Sequence, residues 1–543
     1  MRPTLWWTVA VLASPTEGKA SGAASFNSNP FTVLAKNGIA SDRLNDLSSG
    51  LRAQEECHCS LACDVLVSAL GSDGVGTPGQ ASYDAARARF WSNQQSLETK
   101  PACFVFPADA EEVSIVVQLA RATECSFAVK GGGHTAFKAS SGSHGGISID
   151  FVRMKQITLS ADRKSVAIEP GNIWYDVYTT LEKSNLAMAG GRAATVGVSG
   201  LALSGGISFF SGQRGWTCDN IASYEVVLAS GEIINVDSET NADLYWALRG
   251  GGGNFGIVTK FVADTFDQGP MWGGFLSWEM HSSKVALIDV MIDYLAKGAK
   301  DPKAALIVSF AYAQIYQMWL STIIVDYSEP QPSGGHPAVF DRFFGVDNLL
   351  RDTTRTTLLS NLTLEIAEAT PAGSRQSYWT LTTRVDRQLA IDMLTAFHEE
   401  IEPLQDVKGF LPSFIFQLVT EPQRAEMLRR GGNALGLGAA AGEPLLLMNY
   451  AIMWADAADD VAVLSATARA VARARARAQE RGVDHPFLYA NYASEYQDPI
   501  PGYGAANVAR LREVSRKYDP EGVFARLHPG HFKFEGPPRQ PWW

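Results

Sequence analysis

Residues Val129–His144 read VKGGGHTAFKASSGSH, so three consecutive glycines and a histidine follow directly on the apolar segment CSFAV. Few features constrain a fold more. A strand that ends in residues without Cβ atoms presents bare backbone N–H groups at the end of a sheet, in a loop where positive φ is allowed. Such a loop suits a phosphate, and His134 offers a titratable ring to whatever is bound there. A glycine-rich turn holding a hydrogen-bonded histidine is the alternative. The surroundings read as one β-α-β unit: ACFVF is strand-like, and Asp109-Ala110-Glu111-Glu112 resembles a helix-start box. Val113, Val116, Val117 and Ala120 then share one helical face ahead of a strand over Ser126–Lys130.

A second glycine run, RGGGGNFGIVT, matches G-x-G-x-x-G at Gly251, Gly253 and Gly256. That dinucleotide fingerprint needs a strand before it and a helix after it. Here DLYWALR reads as a helix and GIVTKFV as a strand, so the order is reversed and a Rossmann site is rejected. The chain has neither a G-x-S-x-G elbow nor an H-E-x-x-H pair, and no metal site is expected.

GISIDF and SVAIEPG read as further strands, IWYDVYTTLEK as a helix, and YEVVLASGEIINVD as a hairpin turning at Ser230-Gly231. After Gln268-Gly269-Pro270 the pattern changes to separated runs rich in β-branched and aromatic residues: GGFLSWEM, ALIVSFAYA, STIIVDY, SYWTLTTRV, SFIFQLV and LLLMNYAIMW. Several alternate with period two, as an antiparallel sheet with one covered face requires. Arg469, Arg473 and Arg477 form one charged stripe on a helix and read as a solvated face.

Composition restricts the partners. The 543 residues are 46% hydrophobic, enough for a sizeable core, and carry a formal net charge of -11. An acidic chain lacks the cationic surface that nucleic acid or an anionic membrane demands, so a small-molecule partner is expected. The apolar run Leu5–Ala13 is too short to span a bilayer, which takes about 20 residues, and reads as a secretory signal within residues 1–20. Five of the six cysteines (Cys57, Cys59, Cys63, Cys103, Cys125) precede the sixth, Cys218, by a wide gap. C-x-C-x-x-x-C is not a zinc spacing, so disulfides near the N-terminus are expected, with buried free thiols as the alternative. Asn361-Leu362-Thr363 is a glycosylation sequon compatible with secretion.

Five segments in order, FAVKGGGH, GGISIDFVRM, TVGVSGLALSGGISFFSGQRGWTCDNIASYEVV, ALRGGGGNFGIVT and YANYASEYQDP with KYDPEGVFARLHPGHFKF, resemble the berberine-bridge-enzyme-like branch of the vanillyl-alcohol-oxidase flavoproteins. The resemblance runs over nearly everything after Cys57. It implies an α+β fold: a PCMH-type FAD-binding domain of two α/β subdomains over residues 99–269, and a substrate domain of antiparallel sheet backed by helices over 270–486. A Cys-containing helical segment over 21–98 would precede them, and residues 487–543 would return to the FAD domain.

The same resemblance implies FAD bonded covalently to His134. Its second tether, a cysteine in G-x-C-x-x-V-G, is replaced by Ala193 in Gly191–Gly197, so a single bond is expected. Lys130, Gly131, Gly132, Gly133 and Thr135 would wrap the pyrophosphate. Val196, Gly197, Ser199, Gly200 and Gly205 would run along the flavin, and Asp219, Asn220, Ile257 and Val258 would lie near the adenosine. In the Asn491-Tyr492 motif Asn491 would contact the cofactor and Tyr492 would take the substrate's proton. Tyr489 and Tyr450 would line the pocket. Related motifs place Asp soon after N-Y, where this chain has Ala493-Ser494-Glu495. The implied activity is oxidation of a small organic alcohol or phenolic by hydride transfer, with dioxygen reoxidising the flavin to give hydrogen peroxide. An oligosaccharide oxidase, a dehydrogenase using another acceptor and a non-catalytic flavin-binding protein are the alternatives.

Overall fold

The computed structural model describes residues 29–52, 58–438 and 443–541; the expected signal and Cys57 lie outside them. The first layer is a small sheet in which Cys103–Val105 and Phe127–Lys130 both pair parallel with the central strand Ile147–Asp150. The helix Ala110–Thr123 makes the crossover. Asp109 accepts from Glu112 N at 2.9 Å while Glu112 accepts from Ala108 N at 2.7 Å, so the first turn is capped from both sides. Its apolar stripe, Val113, Val116, Val117 and Ala120, is wholly buried. Disulfides Cys59–Cys125 and Cys63–Cys103 pin the preceding helix His58–Gly74 to this layer, and Cys218 is a buried free thiol.

The second layer is a five-stranded antiparallel sheet. Ile257–Asp264, the strand leaving the second glycine run, inserts between Ser165–Ile168 and Ile221–Val227, with Ile157–Leu159 and Ile233–Asp237 at the edges. The helix Ala242–Leu248 precedes those glycines and a strand follows them, so no helix N-terminus faces a phosphate at this point.

The third layer is a nine-stranded antiparallel sheet in which all six β-rich runs are strands. One face packs on the helices Met280–Lys297, Arg387–Ile401 and Asp460–Glu480 through Phe310, Phe414, Phe416 and Trp454. The other face looks toward the first two layers. On the last helix Arg469 and Arg473 pair with Glu400, and Arg477 with Glu480, as a solvated face should. The C-terminal stretch re-enters the second layer's core, where Phe487 and Tyr489 pack with Trp216. Among the described residues no helix is long and apolar enough to cross a membrane.

Candidate functional site

The three layers enclose a cavity of about 1310 Å³. Its wall takes Gly131–Thr135 from the first glycine loop, Val196, Gly197, Ser199 and Gly200 from the middle motif, Ile257 and Val258 from the second layer, and Tyr489, Asn491 and Tyr492 from the C-terminal stretch. The first two groups touch backbone to backbone. A Cβ on Gly132 would lie 2.5 Å from Gly197 Cα, and one on Gly197 2.4 Å from Gly132 N, so neither position admits another residue without parting the loops.

His134 is half-buried in the cavity wall. It stacks on Trp91, centroids 4.1 Å apart and planes 15° apart, and its Nε2 is 3.2 Å from Thr195 Oγ1. Trp91 is fixed in turn by its indole N–H, which donates to Thr370 O at 3.1 Å. Enclosure by protein pushes the imidazole down to about 4, so the ring is neutral at pH 7 and keeps a free lone pair.

Tyr492 sits half-buried, its ring edge-on to Tyr489 at 4.8 Å. Arg192 Nη2 donates to its hydroxyl at 2.7 Å, and Arg192 Nη1 donates to Gln417 Oε1 at 2.5 Å. A phenol oxygen facing a guanidinium is held as a hydrogen-bond acceptor. Arg192 and Thr195 belong to one short segment. Its backbone is clamped by Trp174 N to Val196 O and Tyr175 N to Ala194 O, both 3.0 Å, and by Ala194 N to Thr363 O, also 3.0 Å. One rigid stretch thus touches both His134 and Tyr492.

Several expected site residues lie elsewhere. Tyr450 is wholly buried on the helix-facing side of its strand against Phe397 and Phe414, so it cannot reach the cavity; its neighbour Asn449 lines the cavity instead. Lys130 turns away into an ion pair with Asp150 at 3.0 Å. Gly205 packs against Trp216 and Leu435. Asp219 accepts from Trp216 N at 2.8 Å and pairs with Arg249 at 3.0 Å, while Asn220 donates to Arg214 O and Trp216 O; both brace the turn behind the wall. Tyr489 lines the cavity, but its hydroxyl accepts from Gly206 N, Ile207 N and Asn491 Nδ2 and burial raises its pKa, so it is an anchor rather than a base. The sequence had not pointed to Trp91, Arg192, Gln417, His528 or His531. Only Arg192, the one charge in a run of small residues, carried a signal.

Residues 101–237 match the family described as FAD binding domain. The chain is similar to an FAD-dependent monooxygenase of Fusarium proliferatum, 37% identical over 506 residues, covering 90% of this chain and 96% of the relative. Among solved structures it is similar to 6-hydroxy-D-nicotine oxidase of Arthrobacter nicotinovorans, with a TM-score of 0.68 and 21% identity over 86% of this chain and 98% of that one. It is likewise similar to the glucooligosaccharide oxidase of Acremonium strictum, described with a 6-S-cysteinyl, 8α-N1-histidyl FAD, with a TM-score of 0.68 and 18% identity over 88% of this chain and 100% of that one.

Proposed function

Because the chain belongs to the berberine-bridge-enzyme-like FAD-linked oxidoreductases of the vanillyl-alcohol-oxidase superfamily, we propose that it oxidises a small organic alcohol or phenolic intermediate of secondary metabolism with FAD bonded covalently through His134 alone. The observation that carries this is the shared segment: Thr195 contacts the histidine and Arg192 the tyrosine. The residues present fit the cofactor. The cavity exceeds the roughly 300–1,000 Å³ of ordinary ligand pockets, its inner end is walled by glycine, and the Nδ1 atoms of His528 and His531 are buried there without partners. Ala193 supplies no sulfur for a second bond.

Bound there, FAD would supply the acceptor for a hydride, and its reoxidation by dioxygen would give hydrogen peroxide. The chain supplies the rest. As a phenolate, Tyr492 would take the proton of the substrate hydroxyl and become the phenol, and the guanidinium of Arg192 would serve as the counter-ion of that phenolate. Gln417 holds the guanidinium in place, and the Trp91 stack holds His134 at the wall. The two disulfides and the exposed Asn361 support passage through an oxidising secretory compartment.

Acid precipitation tests the tether: the yellow colour should stay with the wild-type protein and leave with the supernatant of His134→Ala. Anaerobic flavin bleaching by a panel of alcohols and phenolics tests the chemistry, and peroxide release on readmitting air tests the acceptor. Relatives named as monooxygenases favour a second reading. Label from ¹⁸O₂ in the organic product, in place of peroxide, would select it.

A further inference from the structure

The cavity floor is the free face of the nine-stranded sheet, and its register orders the side chains into rungs. Gln417, which holds Arg192, is paired through Ile307 with Ile324. The next rung outward carries Thr322, Ser309, Ile415 and Asn449. Then come Leu320, Ala311 and Ser413, and after them Met318 with Ala313. Every one of these side chains lines the cavity. Six residues separate Ile307 from Ala313, so the floor runs roughly 20 Å from the catalytic rung outward at about 3.4 Å per residue.

Two features along this floor lack an internal explanation. Asn449 is 4% exposed and its side-chain oxygen has no partner, although it faces the cavity. At the outer end Ile315 is 86% and Tyr316 68% exposed, yet both line the same cavity. Large apolar residues gathered at a cleft mouth mark a surface that something covers, and the continuity of the wall says it is the occupant of the cleft.

We infer that the floor is an extended substrate subsite. The substrate is elongated and mainly apolar, carries its reacting hydroxyl at one end and a hydrogen-bond donor for Asn449 about one rung on, and lays its distal part over Ala311 and Ala313 against Ile315 and Tyr316. This rests on the oxidase reading above and specifies its substrate class. Small side chains at positions 311 and 313 give the groove its depth, and beyond the second rung a sugar chain would find on the floor only the hydroxyls of Ser413 and Tyr316 among apolar side chains.

The test is equilibrium binding of 4-methylphenol and 4-dodecylphenol to the holoenzyme, read as perturbation of the flavin absorbance, with wild type and Ile315→Ser/Tyr316→Ser. Both residues are exposed, so the double variant keeps its fold. Each buried methylene tightens binding about three- to fourfold, so the dodecyl compound should bind at least roughly a hundredfold tighter to wild type. In the double variant 4-methylphenol should bind unchanged while the dodecyl advantage falls about tenfold. Asn449→Leu should weaken 5-dodecylresorcinol relative to 3-dodecylphenol, which lacks the second hydroxyl. A dodecyl advantage absent in wild type, or intact in the double variant, overturns the inference. So does an intact advantage accompanied by loss of self-association or of vesicle pelleting, which would give the rim to a second copy or a bilayer. Binding needs no turnover, so a protein that takes the dodecyl series but never bleaches fails the oxidase reading alone.

Discussion

Replacing Arg192 with Met removes one charge and two hydrogen bonds from the catalytic end of the cavity. The guanidinium nitrogen lies 2.7 Å from the Tyr492 oxygen, which puts the charge centres about 4 Å apart. At the effective dielectric of about 20 that suits partly buried pairs, the attraction on a full phenolate is about 4 kcal/mol. That attraction keeps the phenolate present before it takes the substrate's proton; with solvent recovering part of it in the variant, about 3 kcal/mol is at stake, or roughly a hundredfold in the rate of proton removal. Anaerobic stopped-flow with a fixed substrate should show flavin reduction slowed by roughly that factor at neutral pH. Reoxidation by air should be unchanged, because dioxygen needs no proton acceptor at Tyr492. The deficit should shrink at high pH, where solvent takes over the phenol proton, and Arg192→Lys should restore part of the rate through a single donor. Reduction as fast as wild type, or an equal deficit at every pH, would refute the electrostatic role and leave Arg192 as a bracket between Gln417 and Tyr492.

Tyr492→Phe should slow flavin reduction by roughly two to four orders of magnitude, the usual share of a positioned base, with the oxidative half-reaction intact; unimpaired reduction would leave Tyr492 as a packing aromatic. Lys533 is buried with no partner for its Nζ, and burial pushes its pKa from 10.5 down to about 7. The unfolded chain therefore binds the extra proton between those values, and stability should rise with pH from about 7 to 10.5. Lys533→Met should abolish that rise and stabilise the protein at pH 7 by up to roughly 4 kcal/mol, read from denaturant midpoints; a persistent rise would assign it to another group. Cys63→Ser/Cys103→Ser opens a loop spanning 40 residues and should cost roughly 4 kcal/mol on the loop-entropy account, read as a lower thermal midpoint that reductant lowers no further than the Cys59–Cys125 bond allows.

Where the sequence was legible, the cause was local. The capped helix Ala110–Thr123, the glycine loop and the reversed order around Gly251–Gly256 are each set within about fifteen residues by caps, periodicity and missing side chains. Side-chain direction was lost where burial is two-sided. Leu445–Tyr450 is buried throughout, so no polar alternation fixed its phase, and Tyr450 was assigned to the face that Asn449 occupies. Lys130 and Gly205 sit beside true wall residues in sequence yet belong to the scaffold, and Asp219 and Asn220 brace the turn behind the wall, distinctions that resemblance alone does not carry. Arg192 stands out as the one charge in a run of small residues, but its partner is 300 positions away, so what it faces is not legible locally.

That separation has a consequence during synthesis. At about 5–20 residues per second, roughly 15–60 s pass between the ribosome's addition of Arg192 and of Tyr492. Throughout that interval the nascent chain already holds the glycine loop and His134, yet the hydroxyl that will fill the Gly206 and Ile207 N–H groups has not been made. Phe487 and Tyr489 are also missing from the core that houses them. A chain that stops anywhere before residue 487 therefore lacks both the finished interior and the Tyr492 hydroxyl.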